Sequence, residues 1–297
     1  MHPFGRFPKD RVLWRGPGQS PGEGCMKKTL FVSDLDGTLL GPDQRVSDRS
    51  AEIINRLQDK GMLFSYATAR SVHTGSVVTK NINFRCPIIA HNGTFIMDNA
   101  TFGMVRGNFF TEAEAARIIG ELDRLEMSHI AYSWLDGAER FSYLEPRVSP
   151  QLQDFLNKRI NDVRRRAVQH RDELYRGQPY YFNCIDEPQK AWELYEIFKD
   201  EFNCVCAPEV YSRDIWLEIM PKSASKASAV MQLKEIVGAE KVVVFGDGMN
   251  DMPMFRVADE CYAMANAEDE LKKAATGVIG SNSEDGVARW LEENYID

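Results

Sequence analysis

Short apolar runs alternate with helical periodicity at both ends of this chain. Residues 30–33 are apolar and short enough for a buried strand, and Ser47 then caps a helix whose Ile53, Ile54 and Leu57 share one face. Gly61 ends that helix, and 63–67 and 87–90 read as the second and third strands. After a long gap the pattern resumes with strands at 242–245, 262–265 and 278–279, interleaved with helices near 251–258, 267–275 and 285–294. Such alternation predicts a parallel α/β sheet of the doubly wound, Rossmann-like kind.

The middle of the chain has another texture. From 108 to 213 the segments are longer, more polar and more aromatic. Thr111 and Glu114 form a capping box opening a helix through Leu125, and 130–134 and 140–144 read as two strands around the Asp136-Gly137 turn. Ser149-Pro150 starts a further helix, and Asp186 to Gln189 opens one carrying Trp192, Leu194, Tyr195 and Phe198. The expected organisation is an α+β domain over 108–213 inserted into an α/β core formed by 26–107 and 214–297. Residues 1–25 hold Pro3, Pro8, Pro17, Pro21 and five glycines without the apolar centre of a signal peptide. They read as a disordered leader, with Met26-Lys27-Lys28 as a candidate start.

Composition narrows the function classes. The chain has 297 residues and a formal net charge of -8, against the basic face of a nucleic-acid binder. No run approaches the roughly 20 apolar residues of a membrane span. The six cysteines, Cys25, Cys86, Cys184, Cys204, Cys206 and Cys261, form no zinc-like spacing and no disulfide pattern, which fits a reducing cytoplasm. The expectation is a cytoplasmic monomer or homodimer without nucleic-acid or membrane partners.

The candidate chemistry lies where strands end. Asp34 and Asp36 close the first apolar run, and Gly37 lets the chain turn at once. Two nearby carboxylates repel unless a cation or a shared proton relieves them. The apolar run ending at Phe245 leads likewise into Gly246-Asp247-Gly248-Met249-Asn250-Asp251, so these acids belong at the same sheet edge, where open α/β sheets bind ligands. Several converging carboxylates suit a hard divalent cation, most naturally Mg²⁺. Thr68 follows the second strand, and Lys226 falls in the first turn of a helix opened by Ser223 to Ser225, where anions are favoured. Lys222, four residues earlier, fits that helix start less well. His91 reads as a structural histidine, and Asp251 could instead cap the helix that follows it.

These segments together resemble the haloacid dehalogenase (HAD) superfamily, specifically its Cof-like group, which carries a large C2-type cap (the C2B form) after the third core strand. The resemblance rests on Asp34-Leu35-Asp36-Gly37-Thr38, Thr68, Lys226 and Gly246 to Asp251, with Asn92-Gly93 and Met264 to Ala267 in support. It implies a HAD core with an inserted α+β cap, and a Mg²⁺-dependent phosphatase acting on a small phosphorylated metabolite, a sugar phosphate first. It implies that Asp34 attacks phosphorus and forms an aspartyl-phosphate, while Asp36 serves as general acid and base. Asp34, Asp36 (through its carbonyl), Asp247 and Asp251 would hold the metal. Thr68, Lys226 and Asn250 would contact phosphate, with Arg70 and Asn92 as further substrate contacts. A phosphotransferase or phosphomutase shares the covalent step, and a catalytically silent phosphometabolite sensor would be expected to lack some of these acids.

One residue departs from the family pattern. Ala69 stands where the family's glycine precedes Arg70, so a positive φ there would strain the loop. Within the insertion, Trp134, Arg140, Tyr143, Arg147, Tyr180, Tyr181 and Arg213 are candidate leaving-group contacts, and Arg164-Arg165-Arg166 reads as a solvated helical face.

Overall fold

The structure is a computed structural model that describes residues 28–208 and 214–295. The leader, the candidate start at Met26-Lys27, Cys25 and Arg213 lie outside the described residues. The described chain divides into two compact units, 28–107 with 224–295 and 108–223.

The first unit is built on a five-stranded sheet in the order Gly277–Ile279, Glu260–Met264, Lys241–Gly246, Thr29–Ser33, Leu63–Tyr66. Every pair in it is parallel. Leu30, Val32, Val242 and Val244 are fully buried, as expected of central strands covered on both faces. The strands Thr29–Ser33 and Lys241–Gly246 are neighbours, with Ser33 opposite Phe245. The acids that follow each strand therefore leave the sheet side by side, and the Asp34 N–H still donates to the Phe245 carbonyl at 2.9 Å. The helix Asp48–Asp59 starts where the sequence indicates, with the Ser47 hydroxyl accepting from the Ser50 N–H and Ile53, Ile54 and Leu57 buried.

The third strand sits differently from the simple alternation. Ile88–Ala90 pairs antiparallel with Phe95–Met97, which pairs with Met104–Gly107, making a separate three-stranded sheet. It touches the parallel sheet through one bridge, Ala67 to Ile89. Its antiparallel partner follows from a local turn: His91, Asn92 and Gly93 have φ of 49°, 51° and 98°, a left-handed run that reverses the chain directly after the strand.

The second unit has a six-stranded sheet in the order Asn203–Pro208, Ile215–Met220, Gln178–Ile185, His129–Leu135, Ala138–Leu144, Arg165–Val168. The hairpin at its centre turns through Asp136 and Gly137, both at positive φ as a two-residue primed turn requires. The helices Glu112–Arg124 and Pro188–Phe198 bury Ile118, Leu122, Leu194 and Phe198 with Phe182, Leu217 and Ile219 of the sheet. The capping box of Thr111 and Glu114 is formed in both directions. Two segments differ from the sequence reading. Ile215–Met220, assigned there to the returning core segment, pairs on both sides within this sheet. Two of the three arginines lie in a strand, since Arg165–Val168 pairs parallel with Ala138–Leu144, and Arg164, in the turn before it, bridges Asp162 at 2.7 Å and Glu139 at 3.2 Å. Three consecutive arginines carry no hydrophobic period, so only pairing decides their conformation.

Among the described residues no helix is long and apolar enough to cross a membrane.

His129 supplies a pH signature for the second unit. Its Nδ1 lies 2.8 Å from the Met127 carbonyl and therefore carries the proton, leaving Nε2 to accept from the Tyr175 hydroxyl at 3.1 Å. Burial pushes its pKa down to about 4. The unfolded chain then binds a proton that the folded one refuses, so stability is full above the ordinary histidine value and falls as pH drops from about 6.5 toward 4. Thermal unfolding followed across that window should show this slope, and His129→Gln should flatten it.

Candidate active site

Lys226 is the centre of the site. It is the first residue of the helix Lys226–Val237, whose N-terminus is capped by the Ser225 hydroxyl accepting from the Ser228 N–H. Its Nζ donates to Asp34 Oδ1 at 2.6 Å and to Asp251 Oδ1 at 2.7 Å, and all three side chains are buried. Asp251 also accepts at Oδ2 from the Asp247 and Gly248 N–H groups at 3.0 and 3.2 Å, which shapes the turn after Lys241–Gly246. It thus organises the loop as well as pairing the lysine. Lys222 donates instead to the Asp200 carbonyl, so Lys226 is the lysine that meets the acids.

Asp247 is part-exposed and accepts from the Thr38 hydroxyl at 2.7 Å. Asp34, Asp247 and Asp251 each offer a carboxylate oxygen within 4.8 Å of the others. The close approach depends on two glycines. A Cβ at Gly37, whose φ is +77°, would stand 2.1 Å from Asp247 Oδ2, and one at Gly246 would stand 2.7 Å from Asp251 Cβ.

The charges explain the titration. Burial pushes the Asp34 carboxyl up to about 7; Lys226 opposes this and Asp251 adds to it. Burial alone would lower the Lys226 pKa, but Asp34 and Asp251 outweigh it and the net shift is upward. The two rises have different causes: burial outweighs the lysine at Asp34, and two carboxylates outweigh burial at Lys226, where one cation faces two anions. Burial, opposed by Thr38, also raises Asp247. Oxygen donors with surplus negative charge suit a hard divalent cation rather than a soft metal.

Asp36 occupies a different setting. Its side chain is half exposed and held by Arg70 through a two-point contact, Nε to Oδ2 at 2.8 Å and Nη2 to Oδ1 at 2.6 Å. Thr68 is buried, and its hydroxyl accepts from the Arg70 N–H at 3.1 Å. The Asn92 N–H donates to the Thr68 carbonyl at 2.9 Å and the His91 N–H to that of Arg70 at 3.0 Å, tying these two loops together. Ala69 is not among the residues at positive φ, so the missing glycine costs no strain there. Asn250 is exposed beside the acids. The sequence reading gave no role to Thr38, Asn266 or Glu268. Asn266 donates to the Gly37 carbonyl at 2.8 Å, and Glu268 accepts from the Met249 N–H at 2.9 Å, so both brace the acid-bearing turns. The strand-end position of Asn266 was the available signal; nothing local marked Glu268. Within the second unit Tyr143 and Tyr180 are buried, and Arg147 pairs with Asp123 at 3.5 Å.

A buried aspartate paired to a lysine, a second aspartate held by an arginine, and three carboxylates close enough to share one cation thus meet at one sheet edge. The chain belongs to the haloacid dehalogenase-like hydrolases, whose family model matches residues 31–291. It is similar to the crystal structure of TM0651 from Thermotoga maritima, with 28% identity and a TM-score of 0.72 over 92% of this chain and 99% of that one. A Bacillus subtilis protein named 5-amino-6-(5-phospho-D-ribitylamino)uracil phosphatase is 27% identical, covering 88% of this chain and 96% of its own length. A Klebsiella pneumoniae protein named HMP-PP phosphatase is 24% identical, over 88% of this chain and 94% of its own.

The buried acids give a signed expectation for metal addition. An aspartate with raised pKa stabilises the fold fully below its ordinary value of 3.8, and that contribution is lost as pH rises through about 7. A divalent cation held by these acids would offset the loss. Mg²⁺ should therefore raise the melting temperature by several degrees near pH 7.5 and by little near pH 5, with the pH-5 response no smaller than the pH-7.5 one counting against the site.

Proposed function

We propose that this protein is a Mg²⁺-dependent phosphatase that hydrolyses a small phosphorylated metabolite through an aspartyl-phosphate at Asp34. The observation that carries the reading is the lysine bridge. Lys226 fixes one oxygen of Asp34, which orients the other lone pairs of that carboxylate for in-line attack, and its charge favours an approaching phosphoryl group. Uncatalysed hydrolysis of phosphate monoesters is so slow that enzymes accelerate it by up to ~10²¹-fold, and most of that comes from positioning and charge stabilisation.

Asp34, Asp247 and Asp251, with the Asp36 carbonyl, would hold Mg²⁺. When bound, the cation neutralises the charge of the acids and of the phosphoryl oxygens. Asp36, kept in place by Arg70 yet open to solvent, would give a proton to the leaving oxygen and take one from the water that cleaves the acyl-phosphate. Thr68 and Asn250 would contact phosphoryl oxygens, and Asn92 would contact the substrate. All four acids are intact, which speaks for catalysis over silent sensing.

The substrate class we favour is a phosphate on a sugar or sugar-like chain. The Bacillus relative, whose name specifies a phosphorylated ribityl chain, supports it. The described cysteines, Cys86, Cys184, Cys204, Cys206 and Cys261, are free thiols, which fits the reducing cytoplasm assigned by this reading.

p-Nitrophenyl phosphate should be turned over only with Mg²⁺ or a similar cation. Asp34→Asn should lower kcat by at least about 10³-fold and Asp36→Asn by about 10²- to 10⁴-fold, with KM changed far less. Metal-independent turnover, or full activity in Asp34→Asn, would overturn the assignment.

A further inference from the structure

The left-handed turn at His91, Asn92 and Gly93 has a neighbour that explains its shape. Gly93 packs against the peptide that joins Ser225 to Lys226. A Cβ at position 93 would stand 2.2 Å from the Ser225 carbonyl oxygen, 2.4 Å from its carbon and 3.0 Å from the Lys226 nitrogen. No real Cβ sits that close to backbone, and with φ at +98° any side chain there is strained as well. The Ser225 carbonyl is not free to yield, because it accepts the first helical hydrogen bond, from the Ala229 N–H at 3.0 Å.

The other side of the same turn is bound to the Thr68 loop, through Asn92 N–H to the Thr68 carbonyl and His91 N–H to that of Arg70. One three-residue turn therefore abuts the start of the lysine helix and is stitched to the loop that carries Thr68 and Arg70. We propose that Gly93 is a positioning residue for Lys226: its missing side chain lets the turn seat the Ser225–Lys226 peptide so that Nζ reaches both Asp34 and Asp251. The inference rests on the phosphatase reading, which makes the placement of Lys226 rate-determining. A displacement of about 1 Å at a group that orients a nucleophile can cost on the order of 10²-fold in rate.

Gly61 provides the comparison. It also has positive φ, at +105°, but a Cβ there meets nothing within 4 Å. Gly61→Ala carries the backbone penalty without the collision, so it should lose some thermal stability and keep kcat. Gly93→Ala, assayed with p-nitrophenyl phosphate and saturating Mg²⁺, should lose at least about tenfold in kcat per folded molecule with KM changed by less than about threefold. In a Lys226→Met background the same substitution should change kcat by less than about twofold, because the group it misplaces is gone. Should Gly93→Ala not fold, His91→Gly adds no atom and loosens the same turn at a residue that holds no substrate contact. It should lower kcat about threefold with Lys226 present and not in Lys226→Met.

A kcat in Gly93→Ala equal to that of Gly61→Ala, or equal losses in the two lysine backgrounds for whichever variant folds, would overturn the positioning role while leaving the phosphatase reading intact. Absence of any phosphate-ester hydrolysis by the unaltered protein would overturn both.

Discussion

The buried bridge from Lys226 to Asp34 and Asp251 is the interaction on which the rest of the site depends. Three charged groups are taken out of water, and their desolvation is offset only if the geometry is close and the remaining lone pairs are satisfied. At 2.6 and 2.7 Å the geometry is close, and two backbone N–H groups complete Asp251. Removing one partner from a buried pair typically costs about 3–5 kcal/mol, so the cluster is stable only as a unit. The surplus negative charge that it keeps makes the site receptive to a cation and to a proton on Asp34.

The sheet imposes the meeting of these groups. Asp34 and Asp247 follow adjacent parallel strands in register, so the backbone alone brings their loops to one edge. Side chains then determine how near they come. Gly37 and Gly246 remove the atoms that would hold the two turns apart, and Asn266 and Glu268 hold those turns from outside. Asp36 lies two residues from Asp34 but in another environment, half exposed and forked by Arg70. Two carboxylates so close in sequence can take separate chemical roles because one is buried with a lysine and the other faces water with an arginine.

Much of this was legible in the sequence because it is local. Apolar runs ending in Asp and Gly mark strand ends at Asp34 and Asp247, and Ser47, Thr111 and Asp136-Gly137 are capping and turn signals that act within a few residues. What depended on pairing across the chain was not legible. Ile215–Met220 has strand character whichever sheet it joins, and the arginines at 164–166 lack any period. The third strand keeps one parallel bridge to the expected sheet and then turns back into its own antiparallel sheet through three left-handed residues, two of which are not glycine. Ala69 fits its loop without strain, since the backbone there does not enter the positive-φ region that would need glycine.

The proposed phosphatase mechanism requires that Asp34 become phosphorylated. Rapid acid quench of the protein mixed with a ³²P-labelled phosphate ester and Mg²⁺, followed by borohydride reduction and peptide mapping, tests it most directly. Within the first turnover the label should appear on the quenched protein, and borohydride should release it as phosphate and leave homoserine at residue 34; neither should be seen in Asp34→Asn. Release of labelled phosphate with no labelled protein at any time point, or label at another residue, would contradict the account.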